Sequence, residues 1–198
     1  MTTLRADDVR ITCPLFQEEY GGAVPTSAHQ LRFSRTNIKR ALALNREWHS
    51  RLPELTNWQG CIGFSAECNN VVYAVAIWGR PVARAYNGTA TVELRRMAVC
   101  DDAPKNTATR MIGWMLRELK REGRYTKAIS YQDTAVHTGI IYKGSGWTPI
   151  SVGKDTWDRP NQGAKRRRSD SQEVGVKVRW EYPLASSANK VDNQSGKL

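Results

Sequence analysis

The chain has 198 residues, of which 40% are hydrophobic and seven are tryptophan, enough for one domain with a real core. No run of 18 apolar residues is present, so no membrane-spanning helix is expected, and the opening MTTLRADDVRITCPLFQEEY lacks the apolar centre of a secretion signal. The formal net charge of +11 and pI near 9.8 argue for a polyanionic partner, nucleic acid above all. Cys13, Cys61, Cys68 and Cys100 are scattered without a CxxC pair, which excludes an ordinary zinc site and reads as reduced thiols of a cytoplasmic protein.

In chain order, residues 1–30 show no clear periodicity beyond a short strand expected at residues 9–13. SRTNIKRALALNREWHSRLP reads as a helix. Ser34 or Thr36 is its expected cap, Ile38, Ala41, Leu42 and Asn45 recur at helical spacing, and Pro53 follows as a stop. CIGFSAECNNVVYAVAIWGRP holds two β-rich runs around Asn69-Asn70, a hairpin signature. Pro81 ends the second run, Asn87-Gly88 turns the chain again, and TATVELRRMAVC alternates as a third strand. In DDAPKNTATRMIGWMLRELKREG, Asn106 or Thr107 is a fair cap. Met111, Ile112, Met115, Leu116 and Leu119 form one stripe, and Gly123 ends the helix. A strand over residues 127–131, a short helix in HTGIIYKGSG and strands in GWTPISV and VGVKVRWEYPL complete the pattern. The expected architecture is a single domain over residues 1–184, a mixed α/β (α+β) fold whose mostly antiparallel central sheet is flanked by helices. Residues 153–173 are expected to form a polar, basic loop and residues 185–198 a disordered, Ser-, Asn- and Lys-rich tail.

Five features bear on chemistry. APKNTAT leads from a strand into a helix, so its N–H groups and the helix dipole favour an anion; an ordinary capped helix reads equally from the same residues. In AISYQDTAVHTGIIYKGSGW, Tyr131, Asp133, His137 and Tyr142 cluster where a strand gives way to a helix. Carboxylate, imidazole and phenol there can move protons, although His137 also reads as a helix cap and Tyr142 as core. His49 ends a helix before a proline turn, and a packed or dipole-paired histidine is its plain reading. Arg80 and Arg84 close an apolar strand and can grip phosphates or simply face solvent. Lys165, Arg166, Arg167 and Arg168, with Trp157 and Arg159 nearby, suit a nucleic-acid backbone, or a solvated loop, or a nuclear localisation signal.

The element order, with an anion-binding helix after the third central strand, resembles the GNAT acyltransferase fold. Four segments are similar to the Mom family of bacteriophage DNA-modification proteins: HSRLP (49–53), GRP (79–81), ELRRMAVCDDAPKNTATRMIGWMLR (93–117) and SYQDTAVHTGIIYKGSGW (130–147). They come in the family's order, and the last two are the more specific. The resemblance implies conversion of adenine in double-stranded DNA to an N6-carbamoylmethyl derivative, protecting phage DNA from host restriction in the cytoplasm of the bacterial host. It implies acetyl-CoA as co-substrate, with phosphates over Lys105, Asn106, Thr107, Ala108 and Thr109 and the pantetheine arm beside Met97, Ala98 and Val99. Tyr131, Asp133, His49 and Tyr142 match family positions and are the expected catalytic residues. Arg80, Arg84 and residues 165–168 are the expected DNA contacts. Two departures stand out: the phosphate loop carries no glycine, and Gln132 stands where the family more often has a small residue.

On this reading the base is flipped from the stack, with Trp48, Trp58 or Trp78 as the aromatic that receives it. Asp133 or His49 takes an N6 proton, and Tyr131 or Tyr142 polarises or protonates the leaving side. A redox metal on His49, His137 or Asp133 is a further option. Two other classes compete: a conventional GNAT N-acetyltransferase acting on a protein or small-molecule amine, and a non-catalytic DNA-binding protein on the same scaffold.

Overall fold

A computed structural model describes residues 24–49, 52–153 and 176–185. The expected strand at residues 9–13, the basic run at residues 165–168 with Trp157 and Arg159, and the tail from residue 186 lie outside the described residues. The elements in order are β1 (Arg32–Thr36), α1 (Ile38–Trp48), β2 (Ile62–Cys68), β3 (Val71–Gly79), β4 (Thr91–Val99), α2 (Thr107–Glu122), β5 (Lys127–Asp133), α3 (Ile140–Gly144), β6 (Thr148–Gly153) and β7 (Lys177–Pro183). Among the described residues the seven strands form one mixed, mostly antiparallel sheet in the order β1-β2-β3-β4-β5-β7-β6. The expected α+β architecture is therefore present.

The chain divides into two compact units, Met1–Arg80 with Arg95–Met115, and Pro81–Leu94 with Leu116–Leu198. In the first unit, Asn37 caps α1 by accepting the Lys39 N–H at 2.8 Å. This corrects the expected cap, because Ser34 and Thr36 belong to β1, a strand the sequence pattern hid. The amphipathic face of α1 buries Ala41 and Leu44 against Val72, Val75 and Ile77 of β3. A fully buried leucine such as Leu44 contributes roughly 1.5–3 kcal/mol. The β2–β3 hairpin turns on Asn69 and Asn70, both at positive φ (50° and 66°), the conformation a tight two-residue hairpin requires. Every residue of β3 is buried, so the strand reads as a continuous apolar run rather than an alternating one.

In the second unit, residues 91–94 of β4 pair in parallel with residues 127–130 of β5, the ladder expected of a β-α-β crossover. β5 then pairs antiparallel with β7 from Lys127↔Pro183 to Asp133↔Lys177. It runs two residues beyond its expected end, so Gln132 and Asp133 are strand residues. Alternation gives this part of the sheet two unlike faces. Ser130, Gln132, Val178, Trp180 and Tyr182 share one, and Glu93, Ile129, Tyr131, Asp133, Arg179 and Glu181 share the other.

Candidate functional site

The phosphate-loop candidate lies in the first unit. Asn106, directly before α2, adopts φ 68°, the left-handed region that asparagine tolerates better than other non-glycine residues. A left-handed residue beside a helical one is a backbone arrangement that can form an anion-binding concavity. The Thr107 N–H itself donates to the Pro104 carbonyl at 3.2 Å, and the N–H groups of Ala108 and Thr109 follow in the first turn of α2. Lys105 and Asn106 are exposed. Thr107 is not: it is 2% exposed and its hydroxyl donates to the Pro104 carbonyl at 2.7 Å. Its side chain fastens the loop and does not face a ligand. Ala108 and Thr109 are half-buried in the first turn of α2, and Met97 and Val99 are half-buried on β4, with Ala98 in the core.

His49 sits at the C-terminal end of α1 in the same unit. Its N–H donates to the Asn45 carbonyl at 2.9 Å and its ring Nδ1 accepts the Leu52 N–H at 3.2 Å. The neutral ring therefore carries its proton on Nε2, which makes that nitrogen a donor. The following segment is held firmly. The Asn45 amide, fully buried, donates to the Leu52 and Pro53 carbonyls, and the Arg96 guanidinium donates to the carbonyls of Leu52 and Glu54 at 3.1 Å each. Trp78 is fully buried, with its indole N–H on the Met115 sulfur at 3.1 Å. It is a core residue and cannot receive a base. Trp48 and Trp58 are half-buried against the α1–β3 core. Arg80 is exposed after β3.

The second unit holds the residues of the opening motif, but not as one cluster. Tyr142 is buried on the Trp180 face of β5, stacked on Trp180 with ring centres 5.3 Å apart. Its hydroxyl lies 2.9 Å from the Ser130 hydroxyl, which donates to the Leu94 carbonyl. Ser130 has one proton, so Tyr142 is the donor of that pair. Burial pushes the Tyr142 phenol up, the Ser130 bond works against this, and the nearby Glu93 charge adds to it. Gln132 belongs to the same face. Its amide accepts from the Trp180 indole at 2.8 Å and donates to the His137 carbonyl at 2.5 Å. Gly139 (φ 74°) passes so close that a Cβ there would meet the Gln132 Oε1 at 2.5 Å. Gly139 is also the cap of α3, so His137, exposed in the preceding turn, does not cap it.

Tyr131 and Asp133 lie on the opposite face. The Asp133 carboxylate accepts the Ala135 N–H at 3.0 Å, closing the turn that follows β5. The Tyr131 phenol is pushed up to about 12, first by burial and then by the neighbouring Tyr86, Glu93 and Glu181, with Arg179 opposing. Local sequence reading missed these neighbours. Glu93 is buried and its Oε2 accepts the Val82 N–H at 2.9 Å. Glu181 pairs with Lys127 at 3.0 Å and Arg179 at 3.3 Å, and accepts the Tyr86 hydroxyl at 3.3 Å. A lone acid inside the apolar alternation of TATVELRRMAV was the one signal that pointed to Glu93.

Arg84 stands exposed in the short helical turn Arg84–Tyr86. The basic run at residues 165–168 lies outside the described residues, but its roots do not: Gly153 pairs with Lys177, and Lys177 with Asp133. The segment thus leaves and rejoins the sheet at the strand end that carries Asp133. Cys61, Cys68 and Cys100 are free thiols. Among the described residues no helix is long and apolar enough to cross a membrane, and no group of three or more His, Cys, Asp or Glu could hold a metal ion.

The model of the Mom protein family matches residues 30–194. No curated protein sequence matches the chain. Among solved structures, it is similar to the ribosomal-protein-S18-alanine N-acetyltransferase from Escherichia coli (TM-score 0.59, 12% identity, 81% of this chain and 98% of that one). It is also similar to a Bacillus subtilis acetyltransferase in complex with CoA (0.57, 14%, 78% and 99%). A third likeness is a putative acetyltransferase from Salmonella typhimurium with its cofactor acetyl-CoA (0.56, 15%, 80% and 96%). These likenesses establish a GNAT-like fold.

Proposed function

The chain belongs to the Mom protein family, and from that premise we propose that it is a transferase that converts adenine in double-stranded DNA to its N6-carbamoylmethyl derivative. Acetyl-CoA is the co-substrate, and the setting is phage DNA guarded against restriction in the bacterial host's cytoplasm. The observation that carries the reading is that one family match encloses both the Asn106 anion cradle and the strand end where Asp133 adjoins the roots of the basic segment. The net charge of +11 supports a DNA partner, and the solved structures with bound CoA or acetyl-CoA support the co-substrate.

The residues present fit a CoA-type group. The left-handed Asn106, the first-turn N–H groups of Ala108 and Thr109 and the exposed Lys105 suit a pyrophosphate. Thr107 contributes its place in the backbone rather than its hydroxyl, and the backbone of Met97, Ala98 and Val99 would run beside the pantetheine arm. When bound, acetyl-CoA supplies a two-carbon acyl unit as a thioester. The carbamoylmethyl product is joined to N6 through the former methyl carbon and ends in an amide, so the conversion also consumes a nitrogen donor of the ammonia class and a two-electron oxidant that takes up the methyl hydrogen, while CoA leaves as the free thiol.

The chain's own groups divide the remaining work. The N6 lone pair is delocalised into the purine and the amine lies within the stack, so the base must be extruded and a proton removed from N6. Asp133 takes that proton, since His49, protonated on Nε2 in its neutral form, is a donor. Tyr131 keeps its proton at neutral pH and donates. Tyr142 donates to Ser130 and holds a second proton in a buried place. Arg80, Arg84 and residues 165–168 hold phosphates.

A conventional N-acetyltransferase acting on an amine is the second reading, favoured by the likeness to the S18-alanine enzyme. Purified full-length protein given acetyl-labelled acetyl-CoA with plasmid DNA, and separately with a basic peptide, decides between them. Label in deoxyadenosine is the predicted result; label transferred only to the peptide amine would overturn the DNA reading.

A further inference from the structure

We propose that the rigid tip between β5 and α3 is the wedge that opens the duplex, with the Ile140 side chain entering the stack in place of the extruded adenine. The inference rests on the adenine reading above and deepens it by naming the surface that meets the DNA and the residue that displaces the base.

The tip spans residues 134–140. Residues 134–138 are all exposed, and Ile140, the first residue of α3, is 69% exposed. Val136 and Val176 are each 41% exposed. Val176 belongs to the same tip, because its carbonyl accepts the Thr134 N–H at 3.0 Å and the Thr134 hydroxyl at 2.7 Å. Half of the large hydrophobic side chains exposed among the described residues therefore stand at this one place. Exposed apolar residues scattered singly are ordinary, whereas a group of them marks a contact surface.

This tip is also tied down. The Asp133 carbonyl accepts the N–H groups of Val136 at 3.3 Å and His137 at 3.0 Å, and its carboxylate accepts that of Ala135 at 3.0 Å. Behind it the Gln132 amide donates to the His137 carbonyl, and Gly139 packs closely on Gln132 and Trp180. A stiff apolar point loses little conformational entropy when it is pushed between base pairs.

The surroundings favour a double helix as the occupant. Ile140 and Lys143 are three residues apart and exposed on the same side of α3, which sets a cation beside the apolar point. Val176 adjoins Lys177, which pairs with Gly153 of β6 and Asp133 of β5, so the polybasic segment leaves and rejoins the sheet next to the tip. Apolar surface flanked by basic residues complements phosphates outside and stacked bases within. Isoleucine is one of the side chains able to wedge a base step. Extrusion and proton removal then meet at one place, because the Asp133 carboxylate is bonded to Ala135 of the tip itself.

The test uses full-length protein and a duplex oligonucleotide that the wild type modifies. 2-Aminopurine at the modified position reports extrusion, since its fluorescence rises when it leaves the stack. The wild type should raise that fluorescence. Ile140→Ser should lose at least about half of the rise and modify paired adenine about tenfold more slowly. Where the adenine faces an abasic site and is already loosely held, the two proteins should differ by no more than about twofold. Ile140→Leu should behave as the wild type. Melting temperature and acetyl-CoA affinity should stay at wild-type values in both variants, because Ile140 faces solvent. No fluorescence rise with the wild type, a wild-type rate in Ile140→Ser, or equal slowing on the paired and abasic-facing adenines overturns the inference while leaving the adenine reading in place. So does a wild-type dimer in sedimentation that Ile140→Ser separates, which would make the tip a contact between copies. Adenine left unmodified by the wild type removes the reading and the inference together.

Discussion

Asn106 shows how much can rest on one backbone angle. A non-glycine residue at φ 68° costs roughly 1–2 kcal/mol, less for asparagine than for others, and persists where the geometry is used. Asn106→Gly should keep acetyl-CoA affinity within about twofold, whereas Asn106→Val should weaken it about tenfold and destabilise the fold by about 1–2 kcal/mol. Titration calorimetry and thermal melts read both, and equal affinity in the two variants would contradict the cradle. Tyr131 makes a second prediction. Its phenol is raised from 10.0 to about 12, so between those values the folded state holds a proton that the unfolded state has lost. That contribution to stability is complete below pH 10 and is lost as pH rises through 12. Denaturant melts should show a decline over this window that Tyr131→Phe reduces; an identical decline in the variant would contradict it. Individual side chains were only partly legible in the sequence. Tyr131 and Asp133 were singled out from their place at a strand end, but Glu93 and Glu181 come beside Tyr131 through strand register and Tyr86 through the turn Arg84–Tyr86. Glu181 stands 50 residues along the chain from Tyr131, a pairing no local pattern announces.

Elements were more legible than their edges. Asn69-Asn70 fixed a hairpin because two successive positive φ angles favour asparagine. The α2 stripe was visible because Met111, Ile112, Met115, Leu116 and Leu119 all bury. β1 was hidden: RFSRT is short, and Ser34 and Thr36 imitate caps while the real cap is Asn37. The turn after β5 was read as one cluster of acid, histidine and tyrosines. The pleat separates them, sending Tyr131 and Asp133 to one face and placing Tyr142 against Ser130 on the other. Gly139 holds that arrangement, since a Cβ would strike Gln132 and lie 2.9 Å from Trp180. Gly139→Ala should cost about 1–3 kcal/mol in thermal stability through strain and overpacking. It should also disturb the Tyr142–Trp180 stack, visible as a changed near-ultraviolet circular dichroism spectrum. An unchanged melt and spectrum would contradict the close approach.

At the scale of the whole molecule the charge of +11 matters more than any single contact. Each phosphate neutralised steepens the salt dependence of DNA binding by about 0.9 in log–log slope. Replacing Lys165, Arg166, Arg167 and Arg168 by serine should flatten that slope by up to about 3–4 units while leaving acetyl-CoA binding intact. An unchanged slope would mean that the segment meets no phosphate. The overall architecture was read correctly from element order and from the resemblance of four segments. The face shared by Tyr131 and Asp133 was not, because it exists only once β4, β5 and β7 are side by side. The most direct measurement is mass spectrometry of nucleosides from plasmid DNA of bacteria expressing this protein. The account predicts deoxyadenosine carrying a carbamoylmethyl increment, absent when Asp133→Asn is expressed. Unmodified deoxyadenosine from cells holding soluble, acetyl-CoA-binding protein would contradict it.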